Sequence, residues 1–205
     1  NAVYGFAMIF EKLFSMFSPA YMAVACDVAG KTFRHELDAT YKATRVKKEQ
    51  ELYDQIPMIQ ELVSLYGVPN LSLAGFEADD VIGTLAKKAG ARVHTLIVTG
   101  DQDALQLVTD RVHALLFVKG LSETKEYDPA AVLEKFGLSP EQLVDYKALR
   151  GDPSDNVKGI VGIGEKTAAE LLKEHRTLTG IFAALKTGAL KPSVAEKLRG
   201  REEET

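Results

Sequence analysis

Two short, unbroken apolar runs set the strongest limit on how this chain can fold. They are VHTLIVT at residues 93–99 and VHALLFV at residues 112–118. Continuous runs of this length are typical of strands that are buried on both faces. Segments with helical spacing of apolar residues, such as residues 1–17 and 51–66, alternate with the strand-like runs. This alternation predicts an α/β fold with a mainly parallel central sheet flanked by helices.

Length and composition fit one sizeable core with a small appendage. The chain has 205 residues, of which 46% are hydrophobic, and its net charge is −4. No apolar run reaches the roughly 18 residues that a membrane span needs. The single cysteine, Cys26, excludes a disulfide framework and fits a reducing compartment. The net charge does not indicate a nucleic-acid binder, but acidic and basic residues cluster separately along the chain.

Carboxylates gather at the ends of predicted strands and helices. The set comprises Asp27, Glu77, Asp79, Asp80, Asp101, Asp103, Asp152 and Asp155. Asp27 and Asp101 each directly follow a predicted strand, and because the carboxyl ends of parallel strands meet at one edge of a sheet, we expect such acids to converge. Two carboxylates roughly 4 Å apart repel by about 4 kcal/mol at an effective dielectric of about 20. Divalent cations relieve that repulsion, and carboxylate ligands suit Mg²⁺ or Mn²⁺ better than zinc.

The stretch EADD, residues 77–80, leaves its geometry open. On an ideal helix Glu77 and Asp80 share one edge, whereas Asp79 points away from them. Either Asp79 is a solvated surface residue, or the helix begins late and Glu77 lies in the preceding turn. Acids in a first helical turn also favour the positive end of the helix dipole, which accounts for this stretch without any metal.

A basic segment with an aromatic residue lies at residues 32–45. Tyr41, Lys42 and Arg45 stand at positions i, i+1 and i+4. Such a set can stack on a base while it neutralises phosphates. A solvated basic helix has the same pattern.

The segment GIVGIGEKTA, residues 159–168, places two glycines in a tight turn before a helix. Unobstructed backbone N–H groups at a helix N-terminus form an anion site that suits phosphate. The segment is therefore typical of the hairpin in helix-hairpin-helix modules, which hold duplex DNA by its backbone. A glycine-rich turn between two helices is the alternative.

Together these segments resemble the 5′-nuclease or flap-endonuclease family, and within it the N-terminal 5′→3′ exonuclease domains of bacterial DNA polymerases. The resemblance rests on NAVYGFA, TFRHELDATYKATR, GFEADDVIGTLAKKA, VTGDQDALQLV, EYDPAAVLEKFGL and ALRGDPSDNVKGIVGIGEKTAAELL. It implies a PIN-like nuclease core over residues 1–137 with a helical gateway at about 38–52. It also implies a helical DNA-binding subdomain of the helix-3-turn-helix type over residues 138–205.

The resemblance further implies hydrolysis of DNA phosphodiesters near single-strand/duplex junctions, in replication and repair, with two Mg²⁺ or Mn²⁺ ions. The eight acids above match the family's metal-ligand positions, and Lys42 and Arg45 match its catalytic positions at the scissile phosphate. The implied DNA contacts are Arg34, Tyr41, Lys42, Arg45, Gly162, Gly164, Lys166 and Thr167. In the family all three acids of EADD face the site, which favours the helix that begins late.

Partners and location also follow from the resemblance. We expect DNA as the substrate, K⁺ at the hairpin, and a polymerase domain in the same full-length protein. A monomer in the bacterial cytoplasm, without membrane attachment, is expected.

One departure from the family pattern supports a second hypothesis. Relatives begin with an aspartate-bearing strand that would precede NAVYGFA, so we expect this chain to be a fragment trimmed at both ends. Without that aspartate, the chain would be a catalytically impaired DNA-binding fragment. A third hypothesis is a nuclease-like scaffold that mainly positions a polymerase.

Overall fold

A computed structural model of the chain describes residues 2–119 and 123–202. Asn1 and residues 203–205, which fall within the predicted domain ranges, lie outside the described part. The elements up to residue 136 are α1 (Ala2–Phe17), β1 (Val24–Ala25), α2 (Phe33–Leu37), α3 (Gln50–Leu65), β2 (Asn70–Leu71), α4 (Ala78–Ala89), β3 (Thr95–Thr99), β4 (Val112–Lys119), β5 (Glu123–Tyr127) and α5 (Pro129–Phe136). The later elements are α6 (Leu143–Arg150), β6 (Gly151–Asp152), β7 (Val157–Lys158), α7 (Glu165–His175), α8 (Leu178–Thr187) and α9 (Pro192–Leu198).

The strands before α5 form two small sheets. β1 and β2 pair in parallel, while β4 lies between the parallel β3 and the antiparallel β5. The consecutive residues Ala114, Leu115 and Leu116 are all buried, so β4 is covered on both faces as its apolar run predicts. β3 is an edge strand in the described part of the sheet. Only Ile97 of that strand is buried, so the prediction of two buried faces is not confirmed there.

The aromatic stripe of α1 packs against α3, and the predicted N-terminal helix is confirmed. Phe6, Phe10 and Phe14 are four residues apart, and the ring centroids of neighbours lie 5.4 and 5.2 Å from each other. Phe10 is buried in one cluster with Val63 of α3 and Val68. Burial of a side chain of this size stabilises the fold by about 2–3 kcal/mol.

A large apolar core joins the sheet to the C-terminal helices. Leu105, Leu116 and Tyr127 pack in the same buried cluster as Leu149 of α6 and Leu172 of α7. The helices after α5 therefore rest directly on the β3–β4–β5 sheet. None of the helices in the described part of the chain is long and apolar enough to cross a membrane.

The ends of α5 follow from its capping residues. The Asp128 carboxylate accepts a hydrogen bond from the Ala131 N–H at 2.7 Å, and Pro129 occupies the first helical position. Gly137 ends the helix in the left-handed conformation, with φ 65°. A capping box is present at residues 139–142, since the Gln142 side chain accepts from the Ser139 N–H at 3.0 Å.

Between α6 and α7 the chain forms a tight hairpin. β6 and β7 pair in antiparallel fashion around the GDPSDN turn, and Ile160 N–H donates to the Leu149 carbonyl at 2.9 Å. A Cβ atom on Gly159 would lie 2.2 Å from the Gly151 nitrogen, so the backbone approach requires glycine there. The sequence analysis did not identify this requirement.

The gateway is not a helix in most of its expected range. Residues 39–44 form turns, residues 45–49 have no regular structure, and helix begins only at Gln50. The Asp38 carboxylate accepts from the Thr40 N–H and hydroxyl at 2.8 and 2.7 Å, which ends α2 in a side-chain turn. Lys42 then adopts a positive φ of 55°. The helix expected over about 38–52 is corrected accordingly.

Candidate metal centre

The eight predicted acids lie at element ends, as the sequence indicates. Asp27 follows β1, and Asp101 and Asp103 follow β3. Asp152 ends β6, and Asp155 lies in the turn between β6 and β7. Glu77, Asp79 and Asp80 stand at the start of α4. By their charge partners they fall into three groups: a gateway side (Glu77, Asp80, Asp155), a sheet-end side (Asp27, Asp79, Asp101), and a lysine side (Asp103, Asp152).

The start of α4 resolves the open geometry of EADD. Glu77 is the N-cap, with extended backbone angles, and the helix begins at Ala78. An Asp80 carboxylate oxygen accepts from the Glu77 N–H at 2.9 Å, which satisfies one free donor of the helix end. The helix therefore begins late. Asp79 is nevertheless exposed, so each alternative describes part of the arrangement.

Arg34 of α2 and three gateway residues contact the gateway-side acids. Arg34 holds Asp80 with two parallel hydrogen bonds of 2.7 and 2.8 Å. Lys42 Nζ donates to Glu77 at 2.8 Å, and Arg45 donates to Asp155 at 2.6 Å. The Tyr41 hydroxyl lies 3.0 Å from oxygens of both Glu77 and Asp155. Every acid of the gateway side is thus paired with a donor from residues 34–45.

These pairings shift the protonation equilibria of the gateway. The side-chain hydrogen bond from Arg34 lowers the pKa of the Asp80 carboxyl. Burial, together with the neighbouring charges of Asp155 and Glu77, raises the pKa of the Tyr41 phenol. Tyr41 therefore stays neutral and acts as a hydrogen-bond donor. It is 8% exposed and its ring packs edge-on against His35, so no face of the ring is open for base stacking in this arrangement.

The gateway turn is fixed on the GDPSDN turn by backbone contacts. The Lys42 N–H donates to the Asp155 carbonyl at 2.8 Å, and the Asn156 amide donates to the Thr40 carbonyl at 2.8 Å. Segments more than 100 residues apart in sequence thus set the position of Lys42 and Arg45. This explains why residues 38–49 depart from helical geometry.

The acids of the sheet-end side are not paired with basic side chains as those of the gateway side are. None of the ion pairs among the described residues involves Asp27, Asp79 or Asp101. Asp27 accepts a hydrogen bond from the Ala78 N–H at 2.7 Å, which places it beside the start of α4. Asp79 is exposed as a whole residue, but its carboxyl group is partly desolvated, and this burial together with the nearby charges of Asp101 and Asp27 raises the pKa of the Asp79 carboxyl. Asp79 therefore lies close enough to Asp101 and Asp27 for both charges to repel it.

On the lysine side, Lys147 of α6 lies between two acids. Its ammonium donates to Asp103 and, at 2.6 Å, to Asp152. Asp152 also accepts from the Ser154 N–H and hydroxyl at 2.9 and 2.6 Å. Burial opposes ionisation of Asp152, but the hydrogen bonds from Lys147 and Ser154 outweigh it and lower the pKa to about 2. For Asp103 the effect of burial is larger than that of Lys147, and the pKa is raised.

Sequence reasoning missed Lys147. The residue stands five positions before Asp152 in a helix with ordinary composition, and its second partner is 44 residues away. A basic residue on the helix that leads into an acidic turn is the only local signal that would have suggested it.

The donor set fits a hard divalent cation. Oxygens of Asp103, Asp152 and Asp155 lie within 4.8 Å of one another. Carboxylates alone supply these atoms, which suits Mg²⁺ or Mn²⁺ and not a softer metal. An open cleft of about 750 Å³ runs past Asp101, Asp103, Asp152 and Arg45, so a large substrate can reach the acids.

The hairpin residues lie at the surface, next to the start of α7. Gly162 has φ 85°, and Gly164 is the N-cap of the helix. Gly162, Gly164 and Lys166 are exposed, and Thr167 is partly so. The N–H groups of the first helical turn therefore face solvent. Glu165, in the same turn, forms an ion pair with Arg150 at 2.5 Å.

Comparison with known proteins finds two matching family models. Residues 1–137 match "5′-3′ exonuclease, N-terminal resolvase-like domain", and residues 138–205 match "5′-3′ exonuclease, C-terminal SAM fold". DNA polymerase I of Mycobacterium leprae is 46% identical over 211 residues, a match that covers 98% of this chain and 23% of that protein. The chain thus spans less than a quarter of the length of this relative.

Solved structures give the same result for the fold. The D15 protein of phage T5, co-crystallised with metal ions, is 25% identical with a TM-score of 0.81, over 99% of this chain and 80% of that one. The D15 flap endonuclease in a pseudo-enzyme–product complex with DNA and metal ions is 24% identical with a TM-score of 0.77, over 97% and 75%. The second likeness shows the fold alone.

Proposed function

The chain belongs to the 5′-3′ exonuclease family, and from that premise we propose that it is a divalent-metal-dependent nuclease that cuts DNA near single-strand/duplex junctions. The observation that carries the proposal is a group of carboxylates beside an open cleft: Asp101, Asp103 and Asp152 line it, and oxygens of Asp103, Asp152 and Asp155 lie within 4.8 Å of one another. Arg45 lines the same cleft and donates to Asp155.

The acids in this proposal divide into two metal positions. Asp103, Asp152 and Asp155 would hold one ion, because their oxygens already lie within 4.8 Å of each other. Glu77, Asp79, Asp80, Asp101 and Asp27 would serve the second. Bound Mg²⁺ or Mn²⁺ supplies Lewis-acid stabilisation of the phosphate charge and lowers the pKa of water.

The gateway residues would bind and orient the scissile phosphate. Lys42 and Arg45 contact Glu77 and Asp155 directly, so a phosphate that reaches these acids through cations also comes within reach of both bases. Arg34 has the fork geometry that suits a phosphate or a carboxylate. Neutral Tyr41 would donate a hydrogen bond and hold no negative charge against the DNA.

Residues 138–205 would hold the duplex next to the cut. The exposed N–H groups at the start of α7, with Gly162, Gly164, Lys166 and Thr167, suit backbone phosphates without any reading of sequence. K⁺ at this hairpin is part of the proposal. The curated relative named above is a DNA polymerase I, which supports a role beside a polymerase in bacterial replication and repair.

Cleavage of a defined flap tests the proposal. A duplex with a labelled 5′ flap is incubated with the chain and Mg²⁺ or Mn²⁺, and products are mapped to the nucleotide. We expect cuts near the junction, none with EDTA, and a rate for Asp101→Asn that is lower by roughly a hundredfold or more. Asp110→Asn is the matched control and should leave the rate unchanged. Asp110 is exposed and lies just before the first residue of β4, at the sheet edge opposite to the strand end that precedes Asp101.

The same assay separates the alternatives. Salt-dependent duplex binding without any turnover, under each divalent metal, would support a DNA-binding module and contradict the nuclease proposal. Equal rates for Asp101→Asn and the control would remove the sheet-end acids from the mechanism.

A further inference from the structure

The ammonium of Lys147 lies between Asp103 and Asp152, two acids of the candidate metal site. Its helix, α6, is anchored by Tyr146 and Leu149, which are buried in the main core. The side chain of Lys147 is 35% exposed and reaches out of that anchored helix towards the cleft. A long flexible side chain on a rigid base can move its charge without any movement of the backbone.

The two partners of Lys147 come from separate segments. Asp103 belongs to the 3₁₀ helix Gln102–Leu107 after β3, and Asp152 belongs to β6. The ammonium contacts both carboxylates at once. It therefore joins the sheet edge to the GDPSDN turn at the point where a divalent ion is expected to join them.

Several other oxygens of this group also accept hydrogen bonds from the protein. Asp152 Oδ1 accepts from Ser154, and Asp155 accepts from Arg45 and Tyr41. Lys147 is the residue that bridges two of the three acids. A cation that binds the Asp103 and Asp152 oxygens contacted by Lys147 must displace the ammonium or share its acceptors.

We propose that Lys147 is a built-in counter-cation that holds Asp103 and Asp152 together without metal and sets the divalent-ion affinity of this carboxylate group by competing for the same oxygens. The inference rests on the proposed metal site, and it deepens that proposal by naming the residue that opposes metal binding. It makes Lys147 a positioning and affinity-setting residue and gives it no role in bond cleavage.

A purely structural role predicts the opposite effect. If Lys147 only held the acids in their binding geometry, its removal would separate them and weaken metal binding. If it competes, removal leaves an uncompensated negative charge beside the incoming ion and strengthens binding. The direction of the change in affinity therefore decides between the two.

The test is a Mn²⁺ titration of the whole chain at low ionic strength, in the absence of DNA, followed by calorimetry and by the electron paramagnetic resonance signal of free Mn²⁺. We expect Lys147→Met to bind Mn²⁺ at least about tenfold more tightly than the unmodified chain. Lys147→Arg keeps the charge and should remain within about threefold. Lys135→Met is the matched control, because Lys135 contacts Gln102 and none of the acids, and its affinity should be unchanged.

Each result bears on the inference. Equal or weaker binding by Lys147→Met overturns it, provided that circular dichroism shows the variant to be folded. If that variant is unfolded without metal, Lys147→Gln replaces it and the same criterion applies. Tenfold tighter binding without flap cleavage by the unmodified chain would support the inference and contradict only the nuclease proposal. Absence of any Mn²⁺ binding by the unmodified chain would overturn both.

Discussion

The gateway side and the sheet-end side of the acidic cluster balance their charge in opposite ways. Glu77, Asp80 and Asp155 are each paired with a basic or phenolic side chain at 3.0 Å or less. Asp27, Asp79 and Asp101 have no ion-pair partner in the described part of the chain. The two sets lie side by side at the start of α4.

The difference separates acids that support the fold from acids that oppose it. A paired carboxylate contributes to the stability of the fold without any ligand. Neighbouring carboxylates without cations repel each other and lower that stability. The sheet-end side is thus the part of the site that gains most from a divalent ion. We expect substitutions there to affect activity strongly and stability little, and substitutions of the gateway pairs to affect both.

The largest expected effect is on catalysis. Asp101→Asn should lower the cleavage rate by roughly a hundredfold to a thousandfold, because the proposed function makes Asp101 a ligand of an ion that stabilises the phosphate charge. The free energy of unfolding without metal should stay within about 0.5 kcal/mol of the unmodified value. Flap cleavage and urea denaturation of the same preparation measure both. A variant that is strongly destabilised would contradict the division into two sides.

The next effect concerns the bidentate gateway pair. Arg34→Met should lower the free energy of unfolding by about 2 kcal/mol, because Asp80 then loses both charge-assisted hydrogen bonds. Arg34→Lys serves as the comparison and should recover part of the loss, since one ammonium cannot reproduce the fork. Urea denaturation at neutral pH gives the values. No loss in Arg34→Met would mean that the gateway pair adds nothing to stability.

Acid stability reports on the lysine side. Asp152 has a pKa lowered from 3.8 to about 2, so it contributes stability that is present above about pH 4 and is lost as the pH falls towards about 2. The shift corresponds to at most about 2 kcal/mol. In Lys147→Met we expect a smaller loss over this pH window, because the main donor to Asp152 is gone. Denaturant unfolding across the window tests this, and identical pH profiles would contradict it.

The smallest expected effect is an increase in the free energy of unfolding. Asp79→Asn should raise the free energy of unfolding at neutral pH, without metal, by about 0.5 kcal/mol or less, because solvent screens an exposed carboxylate. The sign follows from the raised pKa of Asp79, which means that the folded protein disfavours its ionised form. Asp110→Asn, outside the cluster, should show no gain. A loss of stability in Asp79→Asn would indicate an unrecognised partner.

The local features of the fold were predictable from the sequence. The stripe of Phe6, Phe10 and Phe14 defined α1, the caps Asp128 and Gly137 defined α5, and the apolar run of β4 defined a buried strand. The positions of the acids at strand ends followed as well, because strand ends can be recognised from the chain itself. Each of these signals lies within a few residues of the feature that it predicts.

The missed features depend on distant parts of the chain. Residues 38–49 leave helical geometry because Lys42 and Thr40 bond to Asp155 and Asn156. The contact between Lys147 and Asp103 forms only because the fold brings the two residues together. Local sequence patterns do not indicate which distant residues will be in contact, so these pairings can be identified only in the three-dimensional structure.

The proposal that the unpaired acids are metal ligands is tested most directly by comparing two stabilities, that of the unmodified chain and that of Asp79→Asn, with and without metal. The free energy of unfolding is measured by urea denaturation for the unmodified chain and for Asp79→Asn, first in EDTA and then in saturating Mn²⁺. Mn²⁺ at about a hundred times its dissociation constant should stabilise the unmodified chain by roughly 2.7 kcal/mol, and Asp79→Asn by less. The account predicts that Asp79→Asn is the more stable protein in EDTA and the less stable one in Mn²⁺. The same order under both conditions would contradict the claim that the unpaired acids are metal ligands.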